Sequence, residues 1–405
     1  MRIAVLNWSN RRFGGTGTYL SAIVPRLRCA GHDVALWHEV DSPLDCASIA
    51  TSPDVPTWSV QRLGLDPAVD ALRAWRPDVL YAHGFVDPGV EARTLDVAPA
   101  VFFAHGHHGT CISGSKTVRH PEIRPCERTF GPACLAHYFP RGCGGRSPVT
   151  MLRLFRQQHS RLTLLRRYGA IVVHSDYLRR EYIRHGVPAE RVFNVKYGSD
   201  VPVGEVRAAT PELEEVRPWR LLFAGRMERL KGGEQLIEAV PLVADALSRP
   251  IHLTLAGDGP SRARWEGLAS SICQRHAGID MEFPGWVGPG AIEGLFTRSD
   301  LLVVPSLWPE PLGLVGLEAA RHGVPVAAFA VGGISDWLRS GTNGILAAGD
   351  PPTVRGLVDA ICGCLATPAV HRRLRAGAGY PLSEFTMDGH VARLMTVFRG
   401  VTEHG

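Results

Sequence analysis

The chain has 405 residues, a formal net charge of +5 at pH 7, 45% hydrophobic and 20% charged residues, and nine cysteines. Those proportions describe ordinary globular material, no apolar run approaches the roughly 18 residues of a membrane span, and an odd count of irregularly spaced cysteines does not suggest a secreted disulfide scaffold. A chain of this length sets two domains as the expectation.

The opening, MRIAVLNWSNRR, has an apolar run too short for a signal peptide and reads as a strand over Arg2–Leu6, so a cytoplasmic protein is the expectation. A glycine-rich loop follows (Phe13–Gly17), then a helix through Tyr19–Arg28 and a strand over Val34–His38. That β-loop-α-β opening belongs to a doubly wound sheet. Gly14 and Gly15 lack side chains, so backbone there can approach a phosphate or sugar closely. The loop is not a dinucleotide fingerprint, because position 20 is Leu, and no G-x-x-x-x-G-K-[ST] occurs. Further strands are expected at Val79–His83, Ala100–His105, Ala170–His174 (with a helix from Asp176) and Val192–Lys196.

Between these lie two unusual stretches. Cys111, Cys126, Cys134 and Cys143 fall close together among several histidines. They could hold a structural zinc, pair by oxidation, or stay as unligated thiols, and no C-x-x-C decides among the three. From Arg128 to Ser175 there are eight arginines and no acidic residue. Within it a helix is expected with Met151, Leu152, Phe155, Leu162 and Leu165 on one face and Arg153, Arg156 and Arg167 roughly opposite. Such a helix is a domain helix with a solvated basic face, or one that contacts an anionic membrane or a lipid-diphosphate acceptor. No nucleic-acid docking module accompanies it.

Residues 199–217 are polar, acidic and Pro-bearing, and read as a linker between a domain over 1–200 and one over 201–385. The second strand–helix series starts at Trp219. Arg226 and Lys231 bracket a strand end and a helix start, where a guanidinium and an ammonium can stabilise the charge that grows on a departing β-phosphate. Residues 301–335 are the most informative. A buried strand, Leu301–Val304, leads to a Pro-rich turn with Glu310. A helix follows over Gly313–His322, stopped by Gly323, then a strand over Val324–Ala328. Amides around Gly313, Leu314 and Val315 would open that helix and suit a diphosphate. Glu318, eight residues after Glu310, sits in the otherwise apolar LGLVGLEAA, where a carboxylate is costly unless paired or liganded.

This strand–E–x7–E–helix–GVPV–GG block resembles the donor site of retaining glycosyltransferases of the GT-B fold, family GT4. RLLFAGR with Lys231–Gly232, LTLAGDGP at 253–260 and FPGWV at 283–287 lie in the order that family predicts. The resemblance covers nearly all of 218–350; the N-terminal half matches more loosely, through Gly14–Gly15, GHDV, His105 and YGSD. It implies an α/β protein with two Rossmann-like doubly wound domains facing an interdomain cleft, and a C-terminal helix (about 386–405) packed back on the first domain. It implies sugar transfer from a nucleoside-diphosphate sugar to a hydroxyl acceptor in polysaccharide, glycolipid or natural-product glycoside assembly, without a metal or other cofactor. Glu318 would bind the ribose, Glu310 the sugar, Arg226 and Lys231 the diphosphate, Gly285 and Val287 the base. His105 would touch the sugar or acceptor, with His83, His107 and His108 as rivals. A GT-B epimerase or phosphorylase and a non-catalytic nucleotide-sugar binder are the alternatives.

Overall fold

The computed structural model describes residues 1–403 apart from 13, 44–46, 50–51 and 199–216, and of Pro289 the backbone only. The expected linker therefore lies, but for Arg217, outside the described residues. The chain divides into two compact units. Unit 1 comprises residues 1–115, 128–197 and 387–405; unit 2 comprises 116–127 and 198–386.

Unit 1 is built on seven parallel strands: β1 (Arg2–Ser9), β2 (Asp33–Val40), β3 (Thr57–Ser59), β4 (Val79–Ala82), β5 (Ala100–Phe103), β8 (Ala170–Val173) and β9 (Val192–Asn194), in the order β3-β2-β1-β4-β5-β8-β9. β6 (Thr117–Val118) and β7 (Arg124–Pro125) form a small antiparallel hairpin of unit 2, whose Ile123 packs on that unit's core. Ile3–Leu6 of β1 and the residues of β4, β5 and β8 are apolar on both faces and buried, as a parallel sheet covered by helices on both sides requires. The chain order reverses between β1 and β4, so the loops leaving those strands diverge and open a crevice at their C-terminal ends.

Unit 2 repeats the plan with β10 (Trp219–Ala224), β11 (Ile251–Ala256), β12 (Ile279–Gly285), β13 (Leu301–Val304), β14 (Val326–Phe329) and β15 (Gly344–Ala347), ordered β12-β11-β10-β13-β14-β15 and parallel throughout. Here the reversal falls between β10 and β13. These are the two Rossmann-like units the sequence implied.

Differences from expectation are local. The helix after Glu310 runs Leu314–Arg321, with Gly313 and His322 as its caps. The basic helix runs Pro148–Leu164 and is capped by Ser147, which accepts from the Thr150 amide. Leu152 does not join its packed face: it is 43% exposed, and Leu154 packs beside Met151, Phe155 and Leu162 instead. At 100° per residue Leu154 falls with the i, i+4 and i+8 neighbours, and Leu152 falls outside them. Among the described residues no helix is long and apolar enough to cross a membrane.

Candidate active site

Unit 2 gathers charge where its sheet reverses. After β10 the chain passes Gly225 and Arg226, makes a short turn over Arg229–Lys231, and enters the helix Gly233–Leu247. Gly232 links the two at φ 73°, and a Cβ there would stand 1.8 Å from the Pro305 carbonyl oxygen. Only glycine lets this turn lie so close to the end of β13. The consequence is a direct bond: Lys231 Nζ lies 2.6 Å from Glu310 Oε1. The same oxygen accepts from Ser306 Oγ at 2.6 Å and from Trp308 Nε1 at 2.9 Å. Lys231 Nζ also stands 5.5 Å from the centre of the Trp308 ring, within cation–π range.

Glu310 is only 5% exposed. One of its oxygens takes three donors, which answers the burial of its charge. The other makes no hydrogen bond with the described residues and is not sealed from solvent. It is held ready to accept from a hydroxyl. Its backbone is fixed as well, since Gly333 N donates to Glu310 O at 2.7 Å. Gly332 (φ 62°) passes so close that a Cβ would lie 2.2 Å from that oxygen.

Next comes the helix Leu314–Arg321. Gly313 caps it in the left-handed conformation and no side chain caps it. The Gly316 amide returns to the Gly313 carbonyl at 3.0 Å, and the amides before it open the helix with its partial positive charge behind them. Glu318, one turn on, is half-buried and forms no hydrogen bond or ion pair with the described residues. Burial raises its pKa, opposed by Arg321. A carboxylate in that state awaits a partner.

Gly285 closes β12 at φ 79°, at the same C-terminal end of the sheet, with Val287 packed on the core beyond it. Trp286 between them is 74% exposed. Arg226 does not join the Lys231–Glu310 cluster: its side chain is 62% exposed and pairs with Glu228 at 2.8 Å. Gly14 and Gly15 open the helix Gly14–Cys29 at the end of β1 in unit 1, with no atom within 4 Å of a Cβ at either.

The strand ends of unit 1 carry histidines. His83 follows β4, His105 follows β5 and His174 follows β8, while His390 comes from the C-terminal helix Met387–Glu403. His83 Nδ1 lies 2.9 Å from His105 Nε2, and His105 is half-buried with its ring against Phe103 and Tyr19. The loop after β5 is pinned by the Tyr182 hydroxyl, which donates to Gly106 O at 2.9 Å and His108 O at 3.1 Å. His107 is buried and packs on Tyr177, and His108 faces the buried Glu91.

His390 Nδ1 faces two carbonyl oxygens, Val195 O at 3.2 Å and Lys196 O at 3.3 Å. Carbonyls only accept, so Nδ1 carries the proton. Burial lowers the His390 pKa to about 4, which leaves a bare Nε2 at neutral pH. Tyr19 must donate to it at 2.7 Å, and Tyr81 must donate to Tyr19 at 2.6 Å. Sequence reasoning missed this chain, and missed Ser306, whose only signal is its position four residues before Glu310.

Zinc was one of three readings of the cysteine segment. Among the described residues no group of three or more His, Cys, Asp or Glu side chains could hold a metal ion. Cys126 belongs to unit 2 and Cys111, Cys134 and Cys143 to unit 1. Cys134 and Cys143 help cover a small apolar cluster of Ile112, Phe130 and Tyr138.

Two family models match this chain: Glycosyltransferase Family 4 over residues 13–200 and Glycosyl transferases group 1 over residues 218–367. It is similar to the glycogen synthase of Mycobacterium tuberculosis, 25% identical over a 435-residue alignment covering 95% of this chain and 91% of that one. The 2-deoxystreptamine glucosyltransferase of Streptomyces kanamyceticus is 36% identical over 175 residues, 42% of this chain and 43% of that one. Among solved structures, Anabaena Alr3699/HepE in complex with UDP matches with a TM-score of 0.66 at 18% identity, covering 100% of this chain and 99% of that one.

Proposed function

This chain belongs to glycosyltransferase family 4 and is a GT-B glycosyltransferase; from that premise we propose that it is a retaining, metal-independent enzyme that uses a nucleoside-diphosphate sugar held by unit 2. The observation that carries this reading is the Glu310 carboxylate, fixed through one oxygen by Lys231, Ser306 and Trp308 with its other oxygen open. Glu310 accepts from a hydroxyl of the sugar. Glu318 accepts from the ribose hydroxyls, which accounts for an unpaired carboxylate in an apolar helix. The helix start at Gly313–Val315 and the charges of Lys231 and Arg226 hold the diphosphate. The turn Gly285–Val287 contacts the base. Within unit 1, Gly14 and Gly15 let backbone approach a phosphate or sugar closely, and His105 meets the acceptor.

In the reaction the bond from the anomeric carbon to the β-phosphate oxygen breaks through an oxocarbenium-like state. The acceptor oxygen bonds to the same face, and its proton passes to the departing phosphate. The nucleoside diphosphate leaves with that proton, so no enzyme base is required. Lys231 and Arg226 stabilise the charge growing on the leaving group, the role a metal plays elsewhere. The match to a protein solved in complex with UDP supports a nucleotide donor, and the glycogen synthase and 2-deoxystreptamine glucosyltransferase relatives support polysaccharide or natural-product acceptors.

The test is a thermal-shift panel of UDP-, GDP-, ADP- and dTDP-sugars, followed by transfer with the best donor and determination of the product's anomeric configuration. A shift with one donor class and retention of configuration are expected. No shift with any donor, or inversion, contradicts the reading.

A second property rests on the basic helix. At its first turns Val149 is 76% and Leu152 43% exposed, beside exposed Arg153 and Arg156. Apolar side chains flanked by arginines suit the surface of an anionic bilayer. Co-sedimentation with phosphatidylglycerol vesicles, lost in Val149→Ser/Leu152→Ser, is expected; equal sedimentation with neutral vesicles contradicts it.

A further inference from the structure

His83 and His105 form one N–H···N hydrogen bond, and the surroundings say which ring donates. His83 is 6% exposed, and its Nε2 is buried with no hydrogen-bond partner. His105 is half-buried; its Nδ1 bonds to no described residue and is not sealed from solvent. Burial pulls both pKa values down, His83 to about 3 and His105 well below its ordinary value. Both rings are therefore neutral at neutral pH, and each carries a single N–H.

Two arrangements satisfy the 2.9 Å contact. If His105 Nε2–H donates, His83 Nδ1 is bare and its Nε2 carries a proton into a closed interior with no acceptor. If His83 Nδ1–H donates, the buried Nε2 is a bare lone pair. A stranded donor is the rarer and worse defect. The second arrangement wins.

We propose that His83 is a positioning residue that locks His105 in the Nδ1–H tautomer, so that the nitrogen His105 turns to solvent is a hydrogen-bond donor to a substrate hydroxyl and not a base. The assignment rests on the reading above only in that His105 faces substrate; the tautomer itself follows from the unit 1 interior. It agrees with a reaction in which the leaving phosphate takes the acceptor proton, since a ring locked this way cannot take it.

The experiment is long-range 1H–15N correlation on the full-length protein with ring-15N histidine at pH 7.5, with His105 assigned by its loss in His105→Gln. A pyrrole-type Nδ1 and a pyridine-type Nε2 at His105 are expected, and the reverse pattern overturns the inference while leaving the transfer reading intact. Failure of the transfer reading shows separately, as a protein that releases no sugar from any donor of the panel. His83→Asn keeps a side-chain N–H near the place of Nδ1 and should preserve both the His105 pattern and turnover of the best donor. His83→Leu should release the Nε2–H form and lower turnover about tenfold, the scale of one lost hydrogen bond. Retention of the pure Nδ1–H pattern in His83→Leu also overturns the inference. If that variant does not fold, the parent and His83→Asn spectra decide.

Discussion

Unit 2 packs apolar side chains around β10, β13 and β14 and brings its polar groups to the strand ends, where Lys231, Ser306 and Trp308 meet Glu310. Its buried Asp300 lies at the opposite end of β13 and is answered by Arg217 at 2.6 Å and the Arg220 amide at 2.9 Å. Unit 1 instead buries imidazoles and phenols between its strand ends and its final helix: His83, His174, His390, Tyr19, Tyr81 and Tyr197. The first arrangement matches charge with charge. The second depends on every ring staying neutral, which makes acid the sharpest probe of the difference.

The largest expected effect is therefore acid lability that is greater in unit 1, since unit 2 buries one lowered histidine, His371, where unit 1 buries several. Burial lowers His83 and His174 to about 3 and His390 to about 4, against an ordinary 6.5. The unfolded chain binds more protons between those values and 6.5, so stability rises with pH across that window and is lost as pH falls through it. Glu39, raised by burial to about 7, works the other way, because its folded form holds a proton that the unfolded chain releases above its ordinary 4.5. His105 is held well below its ordinary value as well, so the lowered histidines of unit 1 outnumber the one raised carboxyl and acid wins. Hydrogen exchange by mass spectrometry from pH 7 to pH 4 should show β1, β4, β5 and β8 losing protection before β10–β14. Simultaneous loss would break the contrast.

Next in size is Lys231→Ala. Removing a fixed charge from a leaving phosphate should lower kcat by about 10²–10³, with donor affinity changed far less, because the helix start and Glu318 remain. Rapid-quench turnover and calorimetry separate the two; an unchanged kcat removes Lys231 from the chemistry. Glu318→Ala should act in reverse. Losing a charged acceptor for hydroxyls should weaken donor binding about 10- to 100-fold, read by calorimetry, with kcat at saturation less affected. Equal affinity contradicts the ribose role.

The contrast also explains what was legible beforehand. Lys231, Glu310 and Glu318 stand beside strand ends and a helix start that hydrophobic pattern and glycines mark, so their grouping follows from local order plus a doubly wound sheet. Ser306 was invisible because it becomes a donor only through the path of the turn to Glu310. In unit 1 the decisive partners are far apart in sequence: Tyr19 meets His390 across 371 positions. No spacing rule reaches that far. His105 was legible through resemblance, yet its tautomer depends on His83, which comes from a different strand. The cysteines decided nothing for the converse reason, since neighbours in sequence need not meet at one metal. Leu152 was misplaced because a helix with apolar residues at both 152 and 154 offers two faces, and tertiary packing chose one.

The smallest effects test the direction of the Tyr81→Tyr19→His390 chain. In the order derived from the two carbonyls at His390 Nδ1, Tyr19 is both acceptor and donor, and Tyr81 only donates to it. Tyr19→Phe strands the Tyr81 hydroxyl proton and the His390 lone pair together in a dry interior, for a loss of about 1–3 kcal/mol. Tyr81→Phe removes only the outer donor. The Tyr19 hydroxyl still gives its proton to His390 and forfeits one bond to its own oxygen, so the loss should be about 1 kcal/mol or less. Urea unfolding of the two variants, compared at constant m, orders them. If Tyr81→Phe proves the more damaging, the hydroxyl protons run the other way and His390 presents Nε2–H; its Nδ1 then either faces two carbonyls as a bare lone pair, which they repel, or keeps its own proton in a charged ring.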